Sequence, residues 1–216
     1  MKKFVIYGFG DFADIMEYYL TKDCKREVVA FTADREYCTE TSHNSLPVVP
    51  FDELISKYSP DQFAVVIGVV GAHMFCDREK IYWAVKKAGY ELPNIIHSTA
   101  SVSAKVMGDA NFIMDNVTIG PFVTMGNNNM IWPNVSIAHH NKIGSNNQFA
   151  GCSSTIGMTE IGDNCFIGNN STIYRKIASF TFVGAGAYVS SDTKPYEVIV
   201  PARSITLENH RSTDFM

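Results

Sequence analysis

The 216-residue chain contains no window of 18 consecutive apolar residues, which excludes a transmembrane helix and predicts no membrane partner. It also lacks a basic excess. Eighteen Lys and Arg stand against 22 Asp and Glu, a formal net charge of -4, so no nucleic-acid partner is expected. Cysteine is sparse and unpaired in pattern. Cys24, Cys38, Cys76, Cys152 and Cys165 are odd in number and form no CxxC, so reduced, mostly buried thiols are expected. The N-terminal run MKKFVIYGFGDFADI is broken by Asp11 and Asp14 before it reaches the length of a signal-peptide core, and a cytoplasmic location follows as the expectation.

The most informative shortage is local. Between Met107 and Ile173 only Asp109, Asp115, Lys142, Glu160 and Asp163 are charged, while the rest of the chain carries the other 35 of its 40 charges. Such a shift marks a change of architecture and divides the chain into residues 1–98 and 99–216.

What fills the charge-poor region is a repeat. Steps of six from Met107 reach Ile113, Ile119, Met125, Ile131, Ile137, Ile143, Phe149, Thr155, Ile161, Ile167 and Ile173, and only Thr155 is not apolar. Neither a 3.6-residue helix nor a two-residue strand holds that period. Small residues follow many of these positions, among them Gly108, Gly120, Gly126, Gly144, Gly162 and Gly168. A solenoid of short parallel strands meets both patterns, with apolar residues pointing into a narrow core and small residues at the corners. The asparagines 127–129, 146, 147, 169 and 170 suit left-handed corner positions. After Ile173 the frame slips and resumes at Ile177, Val183 and Val189, giving an expectation of five three-stranded coils.

Residues 1–98 read as a small α/β unit. Lys3–Tyr7, Glu27–Phe31 and Phe63–Val69 have strand patterns, and Asp11–Leu20 and Arg78–Ala88 have helical ones. A parallel sheet with its ligand at the carboxyl ends of the strands is expected. Gly8 and Gly10 form a GxG turn, with Ala13 where the third glycine of a dinucleotide fingerprint falls. Backbone N–H groups at such a turn suit a phosphate or diphosphate.

The repeat resembles the hexapeptide-repeat acyltransferases, whose fold is a left-handed parallel β-helix. That resemblance implies a homotrimer with acyl-CoA between neighbouring helices. Both halves together resemble bacterial sugar N-acetyltransferases that join a Rossmann-like domain to such a helix and acetylate nucleotide-linked amino sugars. By that resemblance Gly8, Phe9, Gly10, Asp11, Asp34 and Gly68 contact the nucleotide. Acetyl-CoA is the implied co-substrate, with contacts at Gln148, Gly151, Asn169, Ala185 and Arg203. The resemblance also places an oxyanion-stabilising N–H around Ala150–Cys152.

Of six histidines only His139 and His140 lie inside the repeat, within the segment IAHHNKIG. This segment resembles the IAH-x-x-x-IG stretch of lipid A pathway acyltransferases and the H-[DE]-x-x-IG of sugar acetyltransferases. His139 takes the catalytic position and His140 stands where the sugar enzymes have an acid. A neutral imidazole suits removal of a proton from an attacking amine. Two adjacent histidines in an extended strand are expected to point to opposite sides, which argues against a shared metal. Sugar O-acetylation, on a sialic acid or polysaccharide, and a non-catalytic nucleotide-sugar-binding trimer stay open as alternatives.

Overall fold

A computed structural model describes residues 2–202 and Thr213. Arg203 lies outside the described residues. The first part is an α/β cap with strands β1 (Lys3–Tyr7), β2 (Val28–Ala33), β3 (Ser42–His43), β4 (Leu46–Pro50) and β5 (Phe63–Ile67). They form one sheet in the order β3-β4-β2-β1-β5, parallel except for the β3–β4 hairpin. Helices α1 (Asp11–Tyr18), α2 (Phe51–Lys57) and α3 (Cys76–Lys87) accompany it. The central strands are near-continuous apolar runs because helices cover both faces of a parallel sheet. Val5, Ile6, Ala30, Phe31 and Val65 are fully buried.

Helix α1 stops two residues short of the expected Leu20 and continues as a wide π-turn over Tyr19–Asp23. That turn lays Tyr19 across the second domain. Its hydroxyl donates to Asp115, and its ring meets Phe112 edge-on at 5.1 Å between centroids.

The second part is a left-handed parallel β-helix of triangular section. Its first face stacks seven two-residue rungs: Ile95–Ile96, Phe112–Ile113, Met130–Ile131, Gln148–Phe149, Phe166–Ile167, Phe182–Val183 and Val198–Ile199. The second face runs through Ser101–Val102, Thr118–Ile119, Ser136–Ile137, Ser154–Thr155, Thr172–Ile173 and Tyr188–Val189. The third contains Val106–Met107, Thr124–Met125, Lys142–Ile143 and Glu160–Ile161, extended by a bridge from Ile161 to Ile177. The second residue of each rung points inward, and Ile113, Ile131, Ile137, Phe149, Ile167 and Ile173 are fully buried in one continuous core.

Two expectations need correction. The coil exceeds five turns and begins at Ile95, ahead of the division at residue 98, because the step from Val102 to Met107 is five and hides the earliest rungs. The asparagines also serve two purposes. Asn128, Asn146 and Asn170 are left-handed corner residues, whereas Asn129 and Asn147 are buried and cross-link coils. Asn111 Oδ1 accepts from Asn129 N–H and Asn129 Oδ1 from Asn147 N–H, each at 2.9 Å. Stacked amides thus satisfy most of the polar groups that the narrow core shuts off from water, with Asn147 Nδ2 left unpartnered among the described residues.

The cap sits on the first face. Phe12, Met16 and Phe75 share a buried cluster with Phe112, Met114 and Met130, and Phe12 approaches Trp132 at 5.9 Å. Of the cysteines only Cys165 is buried, and burial pushes its thiol up to about 11. Cys152 is exposed on a corner, which departs from the expectation of mostly buried thiols.

Candidate active site

The cap has a cleft of about 600 Å³ at the carboxyl ends of its strands. The chain leaves β1 toward β2 on one side and reaches β5 on the other, so the cleft lies at a topological switch point. Gly8, Phe9, Gly10 and Asp34 line it, together with Tyr37, Val69, Lys80 and Ala84. Gly8 has φ +106°, and a Cβ there would stand 2.8 Å from Gly68 O, so this turn needs glycine. Asp34 follows β2 and accepts a 2.6 Å hydrogen bond from the Tyr7 hydroxyl. Burial, with the carboxylate beside it, raises the Tyr7 phenol well above its ordinary value, so it remains a donor.

Asp11 and Gly68, both expected at the nucleotide, are not among the residues lining this cleft. Asp11 opens α1 as an exposed residue outside the cleft lining. Gly68 is buried under that helix, where an added Cβ would come within 2.6 Å of Ile6 Cγ2 and 2.9 Å of Ala13 Cβ. Close helix–strand contact, served by the third glycine in the dinucleotide fingerprint, is met here by Gly68 facing Ala13. Lys80 and Ala84 escaped the sequence reading, although their i, i+4 spacing on α3 places them on one helix face.

The histidines occupy the edge between the second and third faces. His140 is a left-handed corner residue with φ 58°, so the backbone turns between the two rings instead of alternating them. Contrary to expectation, they converge. Nδ1 of His139 and Nδ1 of His140 are 3.0 Å apart, with the rings at 87°. Only one of these nitrogens carries the shared proton. Nε2 of His139 has no partner among the described residues. The metal argument from opposed side chains therefore falls, yet among the described residues no three His, Cys, Asp or Glu side chains gather as ligands.

One coil further on, Gly157 makes room for the His139 ring. A Cβ there would lie 2.5 Å from its Cε1 and 2.7 Å from its Nε2. The N–H of Gly157 takes no partner among the described residues, while those of Ala150 and Cys152 are bound to Ile167 O and Pro133 O.

Thr155, the one departure from the apolar register, lies directly behind this turn. Its Oγ1 accepts from Ala138 N–H at 3.2 Å and from Asn141 Nδ2 at 2.8 Å. At matching corners the N–H instead reaches a backbone carbonyl, as from Gly120 to Ile137. Asn141 is fully buried, donates also to Ala138 O and Ile156 O, and accepts from Thr159 N–H. A connected polar cluster therefore braces the corner that carries the histidines. The break in the repeat was the available signal for it.

Gly151, Asn169 and Ala185 stack on a different edge, between the first and second faces. Asn170 N–H bonds Gly151 O, and Gly186 N–H bonds Asn169 O. The N–H groups of Gly151, Asn169 and Ala185 themselves take no partner among the described residues. Gln148 is apart from them, buried on the first face between Met130 and Phe166. Within one chain, His139 and this file of N–H groups thus occupy two separate edges of the prism.

Fold and site together define a hexapeptide-repeat β-helix capped by a small Rossmann-like domain. Residues 104–139 match the family described as bacterial transferase hexapeptide (six repeats). The acetyltransferase domain of PglB from Neisseria gonorrhoeae, also solved with acetyl coenzyme A, superposes with a TM-score of 0.81 at 22% identity. That match covers 93% of this chain and 97% of the solved one. A mutant of GDP-perosamine N-acetyl transferase from Caulobacter crescentus, in complex with CoA and GDP-perosamine, gives 0.82 at 20% identity, covering 93% and 94%. WeeI from Acinetobacter baumannii gives 0.81 at 21%, covering 93% and 97%. No curated protein sequence matches the chain. No helix among the described residues is long and apolar enough to cross a membrane.

Proposed function

We propose that this protein transfers the acetyl group of acetyl-CoA to the amine of a nucleotide-linked amino sugar, with His139 as general base. The observation that carries the reading is the His139 imidazole, tied at Nδ1 by His140, given room by Gly157 and open at Nε2. That arrangement serves proton removal from a nucleophile. When bound, acetyl-CoA supplies an acetyl group already activated as a thioester, so no covalent acyl-enzyme is required.

The chain's own groups divide the work. His139 Nε2 accepts the proton that the acceptor nitrogen sheds as its N–C bond forms, and returns it to the sulfur as the C–S bond breaks. For Nε2 to accept, His139 must carry its other proton on Nδ1 and donate it to Nδ1 of His140. The N–H of Gly157, the residue packed against this ring and without a partner among the described residues, suits steadying charge on the carbonyl oxygen, as does the open N–H of Gly151 on a neighbouring protomer's edge. The open N–H groups of Gly151, Asn169 and Ala185 fit the amide carbonyls of a pantetheine arm.

Because those groups and His139 lie on separate edges, the working site joins one protomer's histidine edge to another's N–H edge. A closed homotrimer supplies that contact three times. The nucleotide occupies the cap cleft, its diphosphate at the Gly8–Gly10 turn and a ribose hydroxyl on Asp34. Solved proteins of this fold holding acetyl coenzyme A, or CoA with GDP-perosamine, support the reading.

Thiol release from acetyl-CoA tests it, measured with UDP-, dTDP- and GDP-linked amino sugars. Release with one of these and none with their hydroxyl analogues is expected. Turnover of hydroxyl acceptors alone would move the assignment to O-acetylation, and silence with all of them would leave a binding protein. Sedimentation at micromolar concentration should show a trimer, and a monomer would remove the shared site.

A further inference from the structure

The histidine edge has no asparagine at its left-handed corners. Elsewhere asparagine takes six of those positions, at Asn116, Asn128, Asn134, Asn146, Asn164 and Asn170, beside Phe180 at φ 61° and Tyr196 at 66°. On this edge they are Phe122 at φ 64°, His140 at 58° and Met158 at 65°. A bulky side chain is disfavoured in that region, and Asn or Gly would relieve it. Phe122 gains little from burial in return, since it is 57% exposed. Strain of this kind collects where a site needs a particular side chain.

What Phe122 touches is His140. Their ring centroids are 4.6 Å apart with the planes at 31°, and His140 N–H donates to the neighbouring Pro121 O at 3.0 Å. His140 in turn faces His139 through Nδ1. A carboxylate at this position would offer acceptor oxygens in several orientations. An imidazole offers one nitrogen on that side of the ring, and a half-turn about χ2 replaces it with a carbon. A histidine there needs its ring plane and direction fixed by something else, and an aromatic ring packed over it at a tilt of 31° does this.

We infer that Phe122 is a positioning residue: it holds the His140 ring so that Nδ1 faces His139 and keeps the His139 proton on Nδ1. This inference rests on the acetyl-transfer reading for its kinetic consequence, but not for its spectroscopic one.

The test is a cycle of variants read by kinetics and by 15N NMR of histidine-labelled trimer. Phe122→Ala should lower kcat roughly tenfold, the worth of one net hydrogen bond, with KM changed less than about twofold. The His139 nitrogen shifts should move from the Nδ1–H tautomer toward a mixture. Phe122→Tyr, which keeps the ring, should restore both. In a His140→Asp background, Phe122→Ala should cause no further loss, because a carboxylate needs no packing partner. Equal losses in both backgrounds, or an unchanged His139 tautomer in Phe122→Ala, would overturn the inference. If Phe122→Ala fails to fold, Phe122→Leu replaces it, with the same tautomer shift expected. Absence of turnover with every acceptor would defeat the acetyl-transfer reading, while the NMR arm would still decide the role of Phe122.

Discussion

Cap and coil both face the problem of covering a parallel sheet, and they solve it in opposite ways. In the cap, strands of five and six residues are buried on both faces by helices, so each strand depends on partners distant in sequence. In the coil, strands of two residues close on themselves, and each inward residue packs on one about eighteen positions away. The cap therefore concentrates its stability in a few large contacts around Phe31 and Leu54, while the coil spreads it over many equal ones. Each also forms its site differently. The cap makes a concave cleft at strand ends, and the coil presents an edge that, in the proposed trimer, forms a site against a second edge.

The sharpest way to break this comparison is to remove one site and leave the other. His139→Ala should lower turnover by on the order of a thousandfold, with nucleotide affinity at the cap unchanged. Calorimetry with the nucleotide measures the second half, and a joint loss would mean that the two sites are not separate. Next come the cores. Phe31→Ala should destabilise by about 3–5 kcal/mol and Ile137→Ala by about 2–4 kcal/mol. Denaturant unfolding should show one transition for each, because the Phe12–Phe112 cluster joins the domains. Two separated transitions would show that the shared cluster does not couple them.

Thr155→Val should cost about 1–3 kcal/mol, since Ala138 N–H loses its acceptor and Asn141 one of its three. It should also lower kcat, whereas Ile→Val at another inward position should affect stability alone. The smallest effect belongs to Glu160, which Lys142 and Lys176 hold down at about 2. A depressed carboxyl stabilises above its unfolded value and loses that contribution as pH falls through its folded one. Wild type and Glu160→Gln should thus differ slightly in Tm at neutral pH and converge between about pH 4.5 and 2.

The repeat was legible because the second residue of each rung enters a narrow core every six positions, often with a smaller residue two places before it, as in Val117 and Ile119 or Val135 and Ile137. Where the step shortened, between Val102 and Met107, the same reading lost the first rungs. Three of the cap's strands were legible as apolar runs, whereas β3, β4 and α2 were not; nor was the π-turn at Tyr19, since its partners Phe112 and Asp115 belong to the other domain. At the site, sequence pointed to His139 and missed Gly157, eighteen residues away and beneath its ring. Packing of Gly68 against Ala13 was likewise not legible along the chain.

The division follows from what spacing can encode. By itself the sequence determined the β-helix, its inward face and the corner on which the histidines stand, because periodic burial is a one-dimensional signal. Tertiary structure decided how those histidines meet. A left-handed turn at His140 brings both Nδ1 atoms to 3.0 Å, and no pattern along the chain carries that angle. The separation of His139 from Gly151, Asn169 and Ala185 also appeared only when the coil closed, since neighbours along the sequence fall on different edges of a prism.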